Sequence, residues 1–354
     1  MARIVLRAIL ASLLCVALIV ALSSADRAVA VVTESLSGAG STFSAPLYQQ
    51  WIKAYERDRP SVAITYAAVG SGEGVSRFVA GSVDFGASDV VLSNSEIAKV
   101  SKGVVMVPAT AGIVVLAYNL PDLHGVLRLS REAYPGIFSG AIRYWDDPRI
   151  QKANPGVVLP HRGIGIVARQ DSSGTTNAFT NHLAAIDLTW RAQGFGIGKL
   201  IEWPAATVYG TGNEGVASRI KLVTGSIGYV EYGFAKRLGL PMAVLQNKAG
   251  AFVEPNLAAG QSALSEAAAA SPKTLAALDS SIVDPSGAGA YPIVTFSWLL
   301  LYRQYADPAK EAAVRDFVAW GLSSGQSFDK DLGYIPLPDK VAMAGRQALA
   351  DIGR

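Results

Sequence analysis

The segment "ARQDSSGTTNAF", residues 168–179, sets a guanidinium and a carboxylate ahead of a run of hydroxyl residues and glycine. Arg169 offers a planar fork of N–H donors, and Ser173 and Thr175 offer hydroxyls. An amphipathic stretch follows, so the small residues are predicted to begin a helix, whose unpaired backbone N–H groups favour an anion. The segment therefore predicts an oxyanion site. The alternative is a surface ion pair of Arg169 with Asp171 beside a turn.

Two further junctions have the same composition, "GAGSTF" at 38–43 and "GSGEG" at 70–74. Hydroxyl groups and glycine are also what ordinary helix caps and turns use, so Thr42 or Ser71 alone would carry little weight. Three such junctions in one chain, one of them with an arginine, favour a shared oxyanion site.

The elements that must position these junctions are read from periodicity. In residues 47–55 the apolar side chains recur on one helical face, with Ser44 as a candidate N-cap. A β-rich run, a turn and a helical stretch then follow in residues 62–81 and again in 83–100. This alternation predicts an α/β fold with a largely parallel sheet, and the glycine-rich junctions fall where strands hand over to helices. The low-complexity stretch 257–271 is predicted to be an alanine-rich helix.

The familiar nucleotide-binding motifs match this sequence poorly. No glycine-rich loop ends in Gly-Lys-Ser or Gly-Lys-Thr, which excludes a P-loop. "GTGNEG" at 210–215 matches G-x-G-x-x-G, and Glu231 lies downstream as a candidate ribose ligand. However, Pro204 interrupts the preceding run and the βαβ spacing is absent. A turn that caps a helix over 213–223 is the favoured interpretation.

The first thirty residues are typical of a secretory signal peptide. Arg3 and Arg7 precede an apolar run, and Ala28 and Ala30 fit an A-x-A cleavage site, so cleavage is expected near Ala30. An uncleaved membrane anchor is the alternative. The only cysteine, Cys15, follows a leucine, which argues against lipidation.

Charge and cysteine content narrow the function classes further. The full chain has 31 basic and 28 acidic residues, and removal of residues 1–30 leaves 28 and 27. This balance supports neither nucleic-acid binding nor polybasic membrane binding. Without cysteine the mature chain has no thiolate metal site. His124, His161 and His182 lack ligand spacing and are read as surface or packing residues, so neither a metal nor another cofactor is predicted.

Six blocks stand in the order and spacing of a known family: "GAGSTFSAP", "VGSGEGV", "VDFGASD", "ARQDSSGTT", "GNEGV" and "GSIGYVEY". With these blocks the chain resembles the periplasmic phosphate-binding proteins that feed phosphate ABC transporters. The resemblance runs from about Leu36 to the C-terminal segment. It implies high-affinity binding of inorganic phosphate in the periplasm, delivery to the transmembrane permease subunits, and no enzymatic activity. A monomer is expected.

The resemblance also implies a ligand set and a fold. The family's phosphate ligands fall on Thr42, Phe43 (through its backbone N–H), Ser71, Asp89, Arg169, Ser173, Gly174 and Thr175. Asp171 matches the residue that pairs with the arginine and orients it. The implied fold is an α/β, two-lobed periplasmic-binding-protein fold of type II, with the ligand cleft between lobes joined by two crossover strands. These crossings are best placed in 109–119 and 291–303. Lobe 1 is then 31–111 plus 293–354, and lobe 2 is 112–292.

The presence of Asp89 among the implied ligands requires an explanation, since a carboxylate repels a dianion. An ionised aspartate only accepts hydrogen bonds, so it can receive the hydrogen that HPO4 or H2PO4 retains and sulfate lacks at neutral pH. This mismatch predicts rejection of sulfate. The alternative is that Asp89 caps the helix that passes through Ser93.

The sequence departs from the family pattern at two positions, and two other functions are the alternatives. Glu73 stands in a loop usually built from small residues, and we expect its side chain to face solvent. Ser172 stands where glycine is common. A secreted phosphate-ester hydrolase could use Ser173 or Thr175 as nucleophile, but no histidine is adjacent in the sequence to act as general base. A binding protein that has drifted to another oxyanion, or to adhesion, is the other alternative.

Overall fold

The computed structural model describes residues 33–269 and 282–354. The predicted signal peptide, with Cys15, and the last two residues of the predicted alanine-rich stretch lie outside the described residues. In that stretch a helix spans Leu257–Ala269.

Strands and helices alternate along much of the chain. The strands are β1 Glu34–Gly40, β2 Val62–Ala68, β3 Phe85–Ser88, β4 Val104–Tyr118, β5 Arg128–Leu129, β6 Gly165–Arg169, β7 Val208–Gly210, β8 Ser226–Glu231, β9 Val244–Gln246, β10 Phe252–Val253 and β11 Val294–Tyr302. The helices are α1 Ala45–Asp58, α2 Ser71–Val79, α3 Asn94–Ile97, α4 Ala133–Phe138, α5 Pro148–Gln151, α6 Gly174–Ile186, α7 Thr189–Ala192, α8 Gly212–Leu222, α9 Tyr232–Arg237, α10 Leu257–Ala269, α11 Pro308–Gly321, α12 Asp329–Leu332 and α13 Asp339–Ala348. Two 3₁₀ segments cover Ser324–Phe328 and Leu349–Asp351.

Eight strands form one sheet in the order β2-β1-β3-β11-β4-β8-β6-β7, and β10-β9-β5 form a smaller sheet. The flanks of the large sheet are parallel, because β1 pairs in parallel with β2 and β3, and β6 with β7 and β8. Its centre is antiparallel, where β11 pairs with β3 and β4, and β4 with β8. The expected largely parallel sheet is thus correct for the flanks and wrong for the centre.

β4 links the two flanks of the sheet. Its residues 104–113 pair with β11, and its residues 114–118 pair with β8. Every residue of β11 is buried, as is nearly all of β4, which explains why both runs are continuously apolar in the sequence. We call the part built on β2, β1 and β3 the first half, and the part built on β8, β6 and β7 the second half.

The predicted apolar face of α1 is buried in the core of the first half. Trp51 is fully buried, and its indole N–H donates to the carbonyl oxygen of Gly325 at 2.9 Å. Truncation of such a side chain typically costs about 3–5 kcal/mol. Ser44 occupies the N-cap position, but its hydroxyl makes no capping bond and lies 2.9 Å from the Ser297 hydroxyl. The Ser44 hydroxyl thus bonds to a residue of β11 and does not cap α1.

Candidate anion-binding site

The predicted junctions lie at the carboxyl ends of parallel strands. Thr42 follows β1, Ser71 follows β2, and Asp89 follows β3 in the first half, while Arg169 is the last residue of β6 in the second half. Parallel strands bring their carboxyl ends to the same edge of a sheet, and these edges meet along the boundary between the two halves. Residues far apart in the chain thereby come together.

Asp89 is the centre of the first-half cluster and is only 3% exposed. Its Oδ1 accepts hydrogen bonds from the hydroxyls of Ser41 and, at 2.8 Å, of Ser297. Its Oδ2 faces Ser71, whose hydroxyl lies at 3.4 Å and also accepts from the Asp89 backbone N–H at 3.2 Å. Burial raises the pKa of Asp89 to about 6, although the serine hydroxyls and the Arg169 charge counter part of that rise. The carboxyl is therefore mainly ionised at neutral pH.

Asp89 does not cap the helix after it. Ser93 is the N-cap of α3: its hydroxyl accepts from the Glu96 backbone N–H at 3.2 Å, and the Glu96 carboxylate accepts from the Ser93 N–H at 2.8 Å. This capping box leaves Asp89 free of a capping role.

Arg169 and Asp171 form a buried, bidentate ion pair in the second half. Nε of Arg169 donates to Oδ1 of Asp171 at 2.8 Å, and Nη2 donates to Oδ2. Oδ1 also accepts from the Gly212 backbone N–H at 2.9 Å. Burial acts to raise the pKa of Asp171, but the bonds from Arg169 and Gly212 outweigh it and lower that pKa. The guanidinium is 2% exposed, which excludes the alternative of a surface pair.

Ser173, Gly174 and Thr175 begin α6. Ser173 is the N-cap, since its hydroxyl accepts from the Thr176 backbone N–H at 3.1 Å. Its own N–H donates to the carbonyl of Lys199 at 2.7 Å. The Thr175 hydroxyl accepts from Nη1 of Arg169 at 3.4 Å. The first turn of a helix presents backbone N–H groups without an intrahelical partner, as the sequence led us to expect.

The two halves touch each other through these loops. A Cβ on Gly174 would lie 2.5 Å from the Ser71 hydroxyl and 2.6 Å from Cβ of Asp89, so only glycine permits this approach. The Gly72 backbone N–H donates to the carbonyl of Ser172 at 2.9 Å. Because that bond uses backbone atoms, serine in place of the family's glycine is accommodated at position 172.

Phe43 contributes to the cluster through its backbone while its ring is buried. The ring packs near Tyr334 with centroids 6.1 Å apart, and the Phe43 carbonyl accepts from the Tyr334 hydroxyl at 2.6 Å. The Phe43 backbone N–H donates to the hydroxyl of Ser41 at 3.0 Å. All eight predicted ligand residues and Asp171 therefore lie in one cluster at the boundary between the halves.

Three residues of this cluster were not predicted as site residues from the sequence. Ser41 lies inside a recognised block but was not among the predicted ligands, and Ser297 lies inside an apolar strand with no local signal. Asn213 is fully buried, and its side-chain amide bridges the hydroxyls of Thr42 at 3.1 Å and Thr175 at 3.2 Å. The "GNEGV" block contained Asn213, yet the sequence suggested only a helix-capping turn there.

Glu73 is half-exposed and pairs with Arg77 at 2.8 Å one turn along α2, which confirms that it faces solvent. The helix predicted at 213–223 is α8, Gly212–Leu222. His182 is buried against Tyr134, whereas His161 is exposed beside Asp146. Within residues 33–269 and 282–354, no group of three or more His, Cys, Asp or Glu side chains is arranged to hold a metal ion.

The sequence matches known proteins over most of its length. Residues 26–324 match the PBP superfamily domain. The phosphate-binding protein PstS of Pasteurella multocida is 36% identical over 92% of each chain. The phosphate-binding protein PstS of Haemophilus influenzae is 37% identical, over 87% of this chain and 90% of that one.

Solved structures share the fold. A phosphate-bound, high-affinity periplasmic phosphate-binding protein, PfluDING, superposes with a TM-score of 0.71 at 24% identity, covering 88% of this chain and 93% of that one. The phosphate-binding protein of Stenotrophomonas maltophilia has a TM-score of 0.70 at 22% identity with the same coverage. The two halves described above are thus the lobes of a periplasmic-binding-protein fold, and β4 pairs with strands of both. In the part of the chain that the structure describes, no helix has the length and apolar character to cross a bilayer.

Proposed function

Because this chain belongs to the PstS phosphate-binding proteins of the PBP superfamily, we propose that it binds inorganic phosphate between its lobes and delivers it to the permease subunits of a phosphate ABC transporter. The observation that carries this proposal is the meeting of Asp89 and Ser71 with the start of α6 at Gly174. One half brings a carboxylate acceptor and the other brings helix N–H groups and a guanidinium.

The ligand set that we propose is the one implied by the family. Donors come from Thr42, the Phe43 backbone, Ser71, Arg169, Ser173, Gly174 and Thr175, and the acceptor is Asp89. Asp171 orients Arg169 through the bidentate pair described above. Rejection of sulfate follows from an ionised Asp89, which can accept the hydrogen of HPO4 but must repel an ion that carries none.

Binding is expected to close the lobes. We place lobe 1 in residues 31–111 and 293–354 and lobe 2 in residues 112–292. The change of partner along β4, from β11 to β8 after residue 113, supports a boundary in this region. Since both lobes supply ligands, phosphate stabilises the closed arrangement over the open one, and the closed form is the loaded signal for the permease.

The cellular setting is part of the proposal. We infer that residues 1–30 are a cleaved signal peptide and that the mature chain is a periplasmic monomer that acts as a carrier and not as an enzyme. N-terminal sequencing of the secreted protein should begin after Ala30, and size-exclusion chromatography with light scattering should give one chain per particle. A protein retained with residues 1–30 in the membrane would contradict the first expectation.

The function is tested by calorimetry on the mature protein, stripped of anions by unfolding and refolding. Phosphate should bind one to one at neutral pH, and sulfate should give no heat. A refolded protein that fails to bind phosphate would overturn the proposal. Competition by arsenate, molybdate or sulfate would reveal drift to another oxyanion, and release of phosphate from an aryl phosphate would reveal a hydrolase.

A further inference from the structure

Asn213 is the second residue of α8, and it makes hydrogen bonds to both lobes. Its backbone N–H and its side-chain Nδ2 both donate to the Thr42 hydroxyl, at 3.2 and 3.1 Å. Nδ2 also donates to the Thr175 hydroxyl at 3.2 Å. Thr42 belongs to the first half of the structure, and Thr175 and Asn213 belong to the second.

A hydrogen bond to Oδ1 fixes the orientation of the Asn213 amide. The backbone N–H of Glu231, the last residue of β8, donates to Oδ1 of Asn213 at 3.0 Å. An N–H donor requires an oxygen, so the NH2 group must face the threonines. The Glu231 carboxylate is itself engaged at the start of α9, where it accepts from the backbone N–H groups of Gly233 at 2.7 Å and Phe234 at 3.2 Å.

The hydrogen-bond capacity of the two threonines then decides their role. A hydroxyl has one hydrogen to donate and two lone pairs to accept with. Asn213 occupies both lone pairs of the Thr42 hydroxyl. Asn213 and Nη1 of Arg169 together occupy those of the Thr175 hydroxyl. Each threonine can therefore only donate its hydrogen, and it cannot turn round to accept one from a ligand.

We propose that Asn213 is a positioning residue that makes the Thr42 and Thr175 hydroxyls obligate donors, so that Asp89 supplies the acceptor and the site selects a phosphate carrying one hydrogen. This inference rests on the proposed function. A phosphate oxygen without hydrogen satisfies each donor, whereas a second hydrogen on the ion would face a donor. Asn213 thus influences the protonation state of the bound ion through the two hydroxyls, although its amide carries no charge.

The charged groups around Asn213 do not replace this role. Arg169 and Asp171 are held in their mutual ion pair, Asp89 lies on the opposite lobe, and the Glu231 carboxylate faces α9. The amide is neutral at all relevant pH values. Burial raises the pKa of Glu231 to about 8 and that of Asp89 to about 6, so the pH dependence of an Asn213 variant must be compared with that of the unmodified protein, which holds the same two carboxyls.

The test is a double-mutant cycle of Asn213→Ala, Thr42→Val and the double variant, with phosphate affinity measured by calorimetry. N213A should weaken phosphate binding by about ten- to a hundredfold, because both hydroxyls regain the freedom to accept. Adding N213A to T42V should cost clearly less than N213A alone, since one of its targets is gone. Full additivity in the cycle would overturn the inference.

A spectroscopic measurement separates this role from a purely structural one. The ³¹P chemical shift of bound phosphate should be the same at pH 6 and pH 8 in the unmodified protein. In N213A it should move toward the monoanion value at pH 6. A bound ion whose shift in N213A equals that of the unmodified protein at both pH values would overturn the inference.

Two controls keep the result interpretable. Asn154 is also buried and makes three hydrogen bonds, to Arg128 and Ile150, so N154A should lower the melting temperature while leaving phosphate affinity and the ³¹P shift unchanged. Should N213A fail to fold, Asn213→Ser retains a hydrogen-bonding side chain and serves in the same cycle. Loss of phosphate binding by the unmodified protein would refute the proposed function itself, whereas an unaffected N213A would refute only the role of Asn213.

Discussion

Replacement of Asp89 by asparagine should admit sulfate. The hydroxyls of Ser41 and Ser297 both donate to Oδ1, so an asparagine at this position keeps its oxygen on that side. Its NH2 group then takes the place of Oδ2, beside Ser71 and Gly174. The variant thus exchanges an acceptor for a donor at the lobe boundary with almost no change in size.

The magnitude follows from charge and hydrogen bonding. Two like charges about 4 Å apart repel by about 4 kcal/mol at an effective dielectric of 20, which corresponds to about a thousandfold in affinity. A buried acceptor left unpaired adds about 1–3 kcal/mol. We therefore expect D89N to raise sulfate affinity by at least about a hundredfold. Phosphate affinity should change by about tenfold or less, because the lost bond to Asp89 is offset by relief of its charge.

The assay is displacement of phosphate by sulfate, measured by calorimetry between pH 5 and pH 8. Burial raises the pKa of Asp89 to about 6 in the ligand-free protein, so the carboxyl becomes a donor as the pH falls through 6. Sulfate binding by the unmodified protein should accordingly appear below pH 6, whereas the affinity of D89N for sulfate should stay nearly constant. Asp329 is a second buried aspartate whose replacement by asparagine should leave selectivity unchanged. A folded D89N that keeps phosphate but still excludes sulfate would refute this reasoning.

Three further outcomes are expected. Lys199 and Glu96 form a 3.0 Å ion pair that joins the lobes, so K199M should raise the phosphate dissociation constant about two- to fivefold at low salt and less at 1 M salt. K199R should resemble the unmodified protein, and calorimetry at both ionic strengths tests this. G174A places a methyl group against the opposite lobe and should weaken phosphate binding by about a hundredfold or more. G196A is the matched control, because a Cβ added at Gly196 would meet nothing within 4 Å. Burial raises the pKa of Asp329 to about 7, so the folded state binds this proton more tightly than the unfolded chain and loses stability as pH rises from about 4 through 7. Urea unfolding should therefore show D329N equal to the unmodified protein near pH 4 and more stable by about 4 kcal/mol at pH 8, and a pH-independent difference would contradict the assignment.

The sequence predicted the parts of the site that are encoded locally. Glycine, hydroxyl groups and a following helical period occur together at each junction, and Arg169 and Asp171 lie two residues apart, so these residues are visible as clusters in the chain. Ser297 and Asn213 are different. Ser297 is a small polar residue inside a buried strand, and its meaning comes only from the neighbouring loop that brings Asp89 to it.

Strand direction was not predictable for a related reason. A buried strand is continuously apolar whether its neighbours run parallel or antiparallel, so the runs that became β4 and β11 indicated burial and length but not pairing. The antiparallel pairs of β11 with β3 and β4 follow from the return of the chain to the first half, after the second half is complete. That return depends on contacts more than two hundred residues apart, such as the bond of Ser297 to Asp89.

The contacts that join the lobes at the site are polar, and this bears on how phosphate can act as a signal. The bond from Gly72 to Ser172, the bonds from Asn213 to Thr42 and the ion pair of Lys199 with Glu96 contribute about 1 kcal/mol or less each. Closure supported by such contacts alone is only slightly favoured. A ligand shifts an equilibrium by the difference in its affinity for the two states, and an anion held by donors from both lobes has that difference built in. For the lobe closure proposed above, weak lobe contacts therefore leave the bound ion to decide between the open and the closed form.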